Sequence, residues 1–226
     1  RPCQHAHAES GPVLLHLHCG IEHLERPGRV QAIHEHAEDL RVHVVDLALD
    51  LDDRLAGGTA SPRAGRSVLA LAGAALRAAG WRVGQTPKPH LVTYRERIEI
   101  DGRPIEPAAF TALVEEVLPI ADRVARRLGD PTEFELLTAV VFAHFARSGL
   151  DVALVEVGLG GRLDATHAWD GGVAAITNVD LDHMDRLGPT VTAIAREKAA
   201  IIERGDVALT GATGAALGVI RRRAAR

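Results

Sequence analysis

An acid and a histidine, each near the end of an apolar segment, are the residues whose types and spacing could do chemistry. Glu156 is the one acid near the end of the run Asp151 to Val157, and His183 lies shortly after the run Val173 to Val179. A charged carboxylate in an apolar segment is costly unless it is paired or bound to a metal ion. If the two runs are neighbouring strands, these side chains could hold one divalent cation beside a phosphate group. The local alternatives are a salt bridge between Glu156 and Arg162 and a loop cap at His183.

A glycine-rich loop, GLGGRLDAT from Gly158 to Thr166, lies between these two segments. Its glycines allow backbone angles that other residues avoid, and they allow close approach by a ligand or by another segment of the chain. Arg162 and Asp164 add a hydrogen-bond donor and an acceptor to the loop. The loop alone is a weak indication of a binding site, because a tight connection between a strand and a helix would look the same.

Strands that alternate with helices must position these residues. Apolar runs rich in β-branched residues predict buried strands at 151–157 and 173–179 and a further strand from Val207. A capping box at Thr132 and Glu135 begins one of the helices, and Asp101-Gly102 predicts the tight turn of a hairpin. The predicted helices are 67–79 (opening at a Ser67 cap), 106–128, 133–148 and 190–204. This order indicates an α/β fold with a doubly wound, mainly parallel sheet and flanking helices, whose ligands bind outside the carboxyl ends of the strands.

The charge and hydropathy patterns exclude several classes of partner. The net charge is −4, which indicates no partner among nucleic acids or anionic membrane surfaces. No uncharged apolar stretch of about 18 residues is present, so we expect no membrane span. The polar start lacks the apolar core of a signal peptide and indicates a cytoplasmic protein. The chain begins with Arg1 and stops in a basic helical pattern, so we expect that both ends are cuts.

The first 55 residues differ in composition from the rest of the chain. Eight of the twelve histidines lie within the first 43 residues, in part as pairs at 5 and 7, 16 and 18, and 34 and 36. Apart from the apolar run around Val44 to Leu49, the segment has no clear repeat. Disorder, an out-of-frame origin and, less favoured, metal binding by the histidine pairs stay open for residues 1–55. Residues 56–226 are predicted to form the folded domain.

Five segments of this domain resemble the folylpolyglutamate synthase and dihydrofolate synthase family of the Mur ligase superfamily. They are PHLVTYRERIEIDG (89–102), PTEFELLTA (131–139), LVEVGLGGRLDAT (154–166), ITNVDLDHMDRLG (176–188) and AREKAAII (195–202). Their order and spacing agree with the family over about residues 67 to 220. The resemblance implies a Mur-ligase-type, P-loop-like ATPase domain, truncated before the family's carboxyl-terminal domain.

The resemblance implies an ATP-dependent amide ligase with ATP and magnesium as cofactors. ATP would phosphorylate the carboxylate of a dihydropteroate or a tetrahydrofolate, and the amine of L-glutamate would then attack the acyl phosphate. The partners would be these small molecules, and the protein would be a monomer. A Mur-type ligase that acts on a peptidoglycan precursor and a degenerate, non-catalytic fragment are the alternatives.

The family's functional residues map onto this chain by position. Glu156 and His183 would bind magnesium, Lys198 would be carbamylated and help to organise a second cation, and His183 and Lys198 would be catalytic. The substrate would be held by Thr132, Glu133, Phe134, Glu135, Leu163, Asp164 and Ala165. Without the resemblance, Lys198 would be interpreted as a solvated surface residue, and the capping box would explain Thr132 and Glu135.

The chain departs from the family at two places where phosphate or metal would bind. In its phosphate loop no lysine precedes Ser67, so the resemblance implies ATP binding by Gly65, Arg66 and Ser67, with Arg66 as the cation. An arginine fork does not mimic a lysine point charge, and an ordinary surface loop is the alternative. Lys88 stands where the family has a magnesium-binding serine; an ammonium cannot ligate a cation but could contact phosphate oxygens. His167 also replaces an asparagine.

Overall fold

The computed structural model describes the backbone of residues 16–18, 44–48 and 63–226 and the side chains of residues 68–226. In this part of the chain eight strands form one sheet. They are β1 (His16–His18), β2 (Val44–Ala48), β3 (Val83–Thr86), β4 (Glu99–Ile100), β5 (Arg103–Pro104), β6 (Val152–Val157), β7 (Val173–Ile176) and β8 (Val207–Thr210). Their order across the sheet is β5-β4-β3-β6-β1-β2-β7-β8.

The sheet is mainly parallel. Strands β3, β6, β1, β2, β7 and β8 pair in parallel, and only the β3–β4 and β4–β5 pairs are antiparallel among the described strands. Thr86, the last residue of β3, lies beside Val155 of β6. The carboxyl ends of β3 and β6 therefore meet at one edge of the sheet, with Glu156 at that edge.

Helices connect the parallel strands. The α-helices in the described residues are α1 (Arg63–Ala78), α2 (Pro107–Leu128), α3 (Glu133–Arg147), α4 (Met184–Leu187), α5 (Val191–Ala199) and α6 (Gly214–Ala224). The predicted start of α3 is confirmed, because the side chains of Thr132 and Glu135 form a reciprocal capping box. The hairpin turn is also confirmed, since Asp101 and Gly102 both have positive φ between β4 and β5.

Strand β6 is covered on both faces, which confirms the doubly wound α/β fold. Ala153 and Val155 pack into a core with α2 and α3, whereas Val152 and Leu154 pack into a core with Leu69 of α1. Successive side chains of a strand point to opposite faces, so these two cores lie on opposite sides of the sheet. All six residues of β6 are buried. No helix of the described residues combines the length and the apolar character that a membrane crossing needs.

Two predicted helix boundaries are wrong. Helix α1 begins at Arg63, so Ser67 lies inside the helix and is not its N-cap; Arg63 and Ala64 are strong helix formers and extend it. Helix α5 ends at Ala199 instead of continuing to residue 204. The Arg223 guanidinium donates to the carbonyls of Ala200 and Ile202, and this tertiary contact satisfies carbonyls at the end of the helix.

Strands β1 and β2 come from the first 55 residues and lie in the middle of the sheet. β1 pairs with β6, and β2 pairs with β7 over Val45 to Ala48. The apolar run around Val44 is thus a strand. The other residues of this segment, and the side chains of the histidine pairs, lie outside the described residues, so the division of the chain at residue 55 and the histidine metal hypothesis stay predictions.

Candidate functional site at the carboxyl ends of the strands

Glu156 and Lys88 form the centre of the site. Glu156 is 0% exposed and Lys88 is 8% exposed. The backbone N–H of Lys88 donates to Glu156 Oε2 at 2.7 Å, and the Lys88 ammonium donates to the backbone carbonyl of Glu156. The same ammonium lies 4.2 Å from the centroid of the Phe134 ring, within cation–π range. A buried amine and a buried carboxylate therefore lie together where β3 and β6 end.

The alternative prediction, a salt bridge between Glu156 and Arg162, is wrong. Arg162 forms its ion pair with Glu197 of α5, with Nε 3.0 Å from Oε1, and the Arg162 backbone N–H donates to the Glu197 carbonyl. An added Cβ at Gly161 would lie 2.6 Å from that same carbonyl. The glycine loop is thus held against α5, and Arg162 serves this contact.

Asp164 organises the glycine loop from within. Its Oδ2 accepts from the Leu159 N–H at 2.8 Å, and its Oδ1 accepts from the N–H and the hydroxyl of Thr166. An added Cβ at Gly158 would collide with Asp164 Oδ2 and would lie 2.9 Å from the Phe134 ring. The two predicted substrate segments, 132–135 and 163–165, are therefore brought together at Gly158. The glycines were expected to allow close approach either by a ligand or by another segment of the chain. The structure shows close approach by other chain segments.

The capping box, which is the local alternative to substrate binding by Thr132 and Glu135, is confirmed by the structure. Glu135 Oε2 accepts from the Thr132 N–H at 2.6 Å and from the Thr132 hydroxyl at 2.8 Å. Glu135 is 0% exposed, and its Oε1 accepts no hydrogen bond within the described residues. Glu133 is exposed, and its hydrogen bond with Tyr94 raises the pKa of the tyrosine. Ala165 is fully buried and Leu163 is half-buried. Substrate binding by these residues stays a prediction.

Arg97 is a second buried cation, which sequence reasoning missed. It is 7% exposed, and its Nε donates to His90 Nδ1 at 2.8 Å. Burial lowers the pKa of Arg97, and the charges of Glu133, Tyr94 and Glu156 act in the opposite direction. Its place in the motif RERI was the one available signal, since nothing in local periodicity shows that this arginine points inward.

His183 lies at the start of α4 in the left-handed region, with φ 46°. Its imidazole is 49% exposed, and Nε2 lies 3.6 Å from Asp182 Oδ2. The residue occupies the N-cap position, but its side chain makes no capping hydrogen bond; its carbonyl accepts from the N–H groups of Arg186 and Leu187. A loop cap by the imidazole is therefore wrong, and its metal-binding and catalytic roles stay predictions.

Lys198 is 6% exposed, so its interpretation as a solvated surface residue is wrong. Its backbone carbonyl lies 3.1 Å from the position of an added Cβ at Gly161. The glycine loop thus packs tightly on the backbone of α5 at this residue. Its carbamylation and its catalytic role stay predictions.

As they stand, Glu156, His183 and Lys198 do not fit a divalent ion held by the protein alone. Glu156 is the single oxygen donor among them, whereas magnesium demands an octahedron of oxygen ligands. A protonated lysine cannot ligate, and the Lys88 ammonium, which donates to the backbone carbonyl of Glu156, adds a positive charge near this carboxylate. In the described residues no group of three or more His, Cys, Asp or Glu is arranged to hold a metal ion. Carbamylation of Lys198, as the resemblance implies, would add a second oxygen group.

The predicted ATP-binding residues Gly65, Arg66 and Ser67 fall in the first turns of α1. Amides at the start of a helix are suited to anions. The side chains of these three residues lie outside the described residues, so ATP binding by them stays a prediction.

No protein-family model matches the chain. The probable bifunctional folylpolyglutamate synthase/dihydropteroate synthase of Haloferax volcanii is 41% identical over 200 residues, which are 82% of this chain and 24% of that protein. The dihydrofolate synthase/folylpolyglutamate synthase of Mycobacterium tuberculosis is 44% identical over 146 residues, or 61% of this chain and 30% of that protein. This chain spans less than a third of the length of either relative.

The fold agrees with the sequence comparison. The solved structure of Mycobacterium tuberculosis folylpolyglutamate synthase complexed with ADP and AMPPCP superimposes with a TM-score of 0.74 at 33% identity, covering 89% of this chain and 46% of that one. Folylpolyglutamate synthases thus resemble this chain both in sequence and in fold. The chain belongs to the folylpolyglutamate synthase and dihydrofolate synthase family, and it spans part of the length of that family's members.

Proposed function

We propose that this chain is the nucleotide-binding part of an ATP-dependent carboxylate–amine ligase that joins L-glutamate to a dihydropteroate or a tetrahydrofolate. Relatives at 41% and 44% identity carry the names of folylpolyglutamate and dihydrofolate synthases. A solved neighbour with 36% identity is an FPGS-AMPPCP-folate complex. The observation that carries the proposal is the buried Glu156 and Lys88 pair beside a glycine loop, at the edge of the sheet where such folds bind ligands.

The proposed reaction has two steps. A substrate carboxylate attacks the terminal phosphorus of ATP, which forms an acyl phosphate and releases ADP. The amine of glutamate then attacks the acyl carbon, an amide forms, and inorganic phosphate leaves with the bonding electrons. Magnesium enters as part of the ATP substrate, bound to phosphate oxygens.

The chain's own residues would bind and orient these substrates. The buried cations Lys88 and Arg97 place positive charge at the strand edge, where phosphate charge must be held. The loop from Gly158 to Asp164 and the start of α3 meet at Gly158 and would border the acid substrate. We extend the proposal to the predicted catalytic residues His183 and Lys198. The protein would act as a monomer in the cytoplasm, without a nucleic-acid or membrane partner.

Nucleotide titration of the chain tests the binding half of the proposal. Isothermal titration with ATP and magnesium should give one binding event, and Glu156→Ala should weaken it because the Lys88 N–H loses the carboxylate oxygen that holds Lys88 in place. Glu115→Ala, an exposed residue of α2, is the matched control and should leave binding unchanged. Absence of heat with the unaltered chain would support the degenerate, non-catalytic fragment.

Substrate specificity requires the protein at the full length of its relatives. Phosphate release should depend on both glutamate and dihydropteroate or tetrahydrofolate. Release with a muramoyl-peptide substrate, and none with the pterins, would assign the protein to the Mur-type alternative.

A further inference from the structure

The chain uses lysine only at the candidate site. Of its 26 lysines and arginines, two are lysines, Lys88 and Lys198. They are 8% and 6% exposed. Lysine is among the residues that are almost never fully buried unless they are paired. Neither lysine therefore adds to the exposed charge of the described residues: Lys88 lies at the strand ends, and the Lys198 backbone lies against the glycine loop.

Lys88 is fixed from three sides of the site. Its backbone follows β3, and its N–H donates to Glu156 Oε2 at 2.7 Å. Its ammonium donates to the carbonyl of Glu156, at the end of β6. The centroid of the Phe134 ring, in the first turn of α3, lies 4.2 Å from the ammonium nitrogen. Contacts from β6 and α3 thus hold one positive charge at the point where β3 and β6 end.

A fixed ammonium changes what Glu156 can bind. A divalent ion on this carboxylate would lie beside a like charge that is buried, and repulsion between charges is strong where water is scarce. An ammonium also does what a bound metal would do for an anionic ligand, because its N–H groups donate to phosphate oxygens and its charge neutralises theirs.

We propose that Lys88 is the resident cation of this edge: its ammonium takes the place of a divalent ion at Glu156 and binds the phosphate oxygens of the nucleotide. This inference rests on the proposed nucleotide-binding function. It makes Lys88 a binding residue specific to this chain's version of the site, and it makes nucleotide binding largely independent of divalent ions.

Manganese alone tests the first half of the inference. Binding of Mn²⁺ to the full chain, followed by electron paramagnetic resonance of the free ion, should show no tight site in the unaltered protein. Lys88→Ser should bind Mn²⁺ at least about tenfold more tightly, because the ammonium is removed and a hydroxyl oxygen is gained. The double variant Lys88→Ser/Glu156→Gln should lose that site. Equal Mn²⁺ affinity in the unaltered protein and Lys88→Ser would overturn the inference.

Arg126→Ser is the matched control, since it removes one positive charge from an exposed position of α2. It should leave Mn²⁺ binding at the level of the unaltered protein. A gain equal to that of Lys88→Ser would show that net charge alone is responsible and would overturn the inference.

Nucleotide affinity tests the second half without any variant. The dissociation constant for ATP should change by less than about threefold between a magnesium buffer and EDTA, because the protein itself provides the cation. Binding with magnesium that is lost in EDTA would contradict the inference and leave the proposed function intact. Binding in neither buffer would contradict the proposed function, and the manganese comparison would still decide the role of Lys88.

Discussion

At the scale of single residues, the site depends on charges that are buried close to their partners. Lys88, Arg97 and Glu156 are all less than a tenth exposed. The pKa of Arg97 is lowered by burial, but the negative charge of Glu156 is among those that oppose this effect. Lys88 and Arg97 thus place two buried positive charges near the strand-end carboxylate, and these charges suit an anionic ligand.

Gly158 is the residue at which the two predicted substrate segments meet, so a methyl group there should be costly. The added Cβ would collide with Asp164 Oδ2 and approach the Phe134 ring to 2.9 Å. Asp164 is held by hydrogen bonds to Leu159 and Thr166 and cannot move aside without breaking them. Gly158→Ala should lower the free energy of unfolding by about 2 kcal/mol, measured by urea denaturation.

The control for this substitution is a glycine inside a helix. At Gly218 of α6 the nearest contact of an added Cβ is the Arg222 guanidinium at 3.5 Å, an ordinary van der Waals distance. Gly218→Ala should therefore raise the free energy of unfolding by about 0.5–1 kcal/mol, because alanine favours helix interiors. A stability of Gly158→Ala equal to that of the unaltered chain would contradict the packing described at this loop.

Asp206 should make the stability of the fold depend on pH. Burial and the neighbouring Asp170 raise its pKa from 3.8 to about 6, although the N–H of Glu203 donates to it and acts in the opposite direction. The folded state binds this proton more tightly than the unfolded state does, so protonated Asp206 adds to the free energy of unfolding. This contribution is fully present below pH 3.8 and is lost as the pH rises through 6. Since the group is half-buried and partly screened, we expect a loss of about 1 kcal/mol.

Asp206→Asn checks this pH dependence. The free energy of unfolding of the variant should be flatter between pH 4 and 7 than that of the unaltered chain. Asp122→Asn, at an exposed position of α2, is the control and should keep the original profile. Identical profiles for Asp206→Asn and the unaltered chain would rule out a role for this carboxyl.

At the scale of elements, the caps of α3 and α5 permit a direct comparison. The Thr132 side chain takes part in a reciprocal box with the fully buried Glu135, whereas Thr190 accepts one hydrogen bond, from the Ala193 N–H at 3.1 Å. Thr190→Ala should cost about 1 kcal/mol and Thr132→Ala about 2 kcal/mol, because the latter also removes a partner of a buried carboxylate. Thermal or urea unfolding of the two variants measures the difference. Equal losses would mean that the buried carboxylate adds nothing to the cap.

Elements written in short sequence patterns could be predicted, and contacts between distant segments could not. The capping box, the Asp101-Gly102 turn and the apolar β6 each depend on neighbouring residues. By contrast, the Arg162–Glu197 ion pair and the Lys88–Phe134 contact join residues about 35 and 46 positions apart, and they form only when loops and helices pack on the sheet. The burial of Lys198 has the same origin. The early end of α5 likewise follows from Arg223, on a different helix.

At the scale of the whole molecule, the sheet order joins the first part of the chain to the rest. Strands β1 and β2 lie between β6 and β7. The buried strands β6 and β7 are therefore joined in the sheet through strands from a distant part of the sequence. Each would expose a long row of unpaired backbone groups without β1 and β2. The predicted boundary near residue 55 therefore falls between strands of one sheet.

Removal of the first part of the chain should thus abolish cooperative folding. A fragment of residues 60–226 would lose the parallel partners on one side of β6 and on one side of β7, which would keep only β3 and β8 on their other sides. With these partners it would lose most of the ~5–15 kcal/mol that stabilises a domain of this kind. Urea unfolding followed by circular dichroism should show no sharp transition, and size-exclusion chromatography should show aggregates. Deletion of residues 1–15 keeps both strands and should retain the transition. If the 60–226 fragment unfolded as cooperatively as the full chain, β1 and β2 would be dispensable, and the family's fold would be complete in the later residues alone.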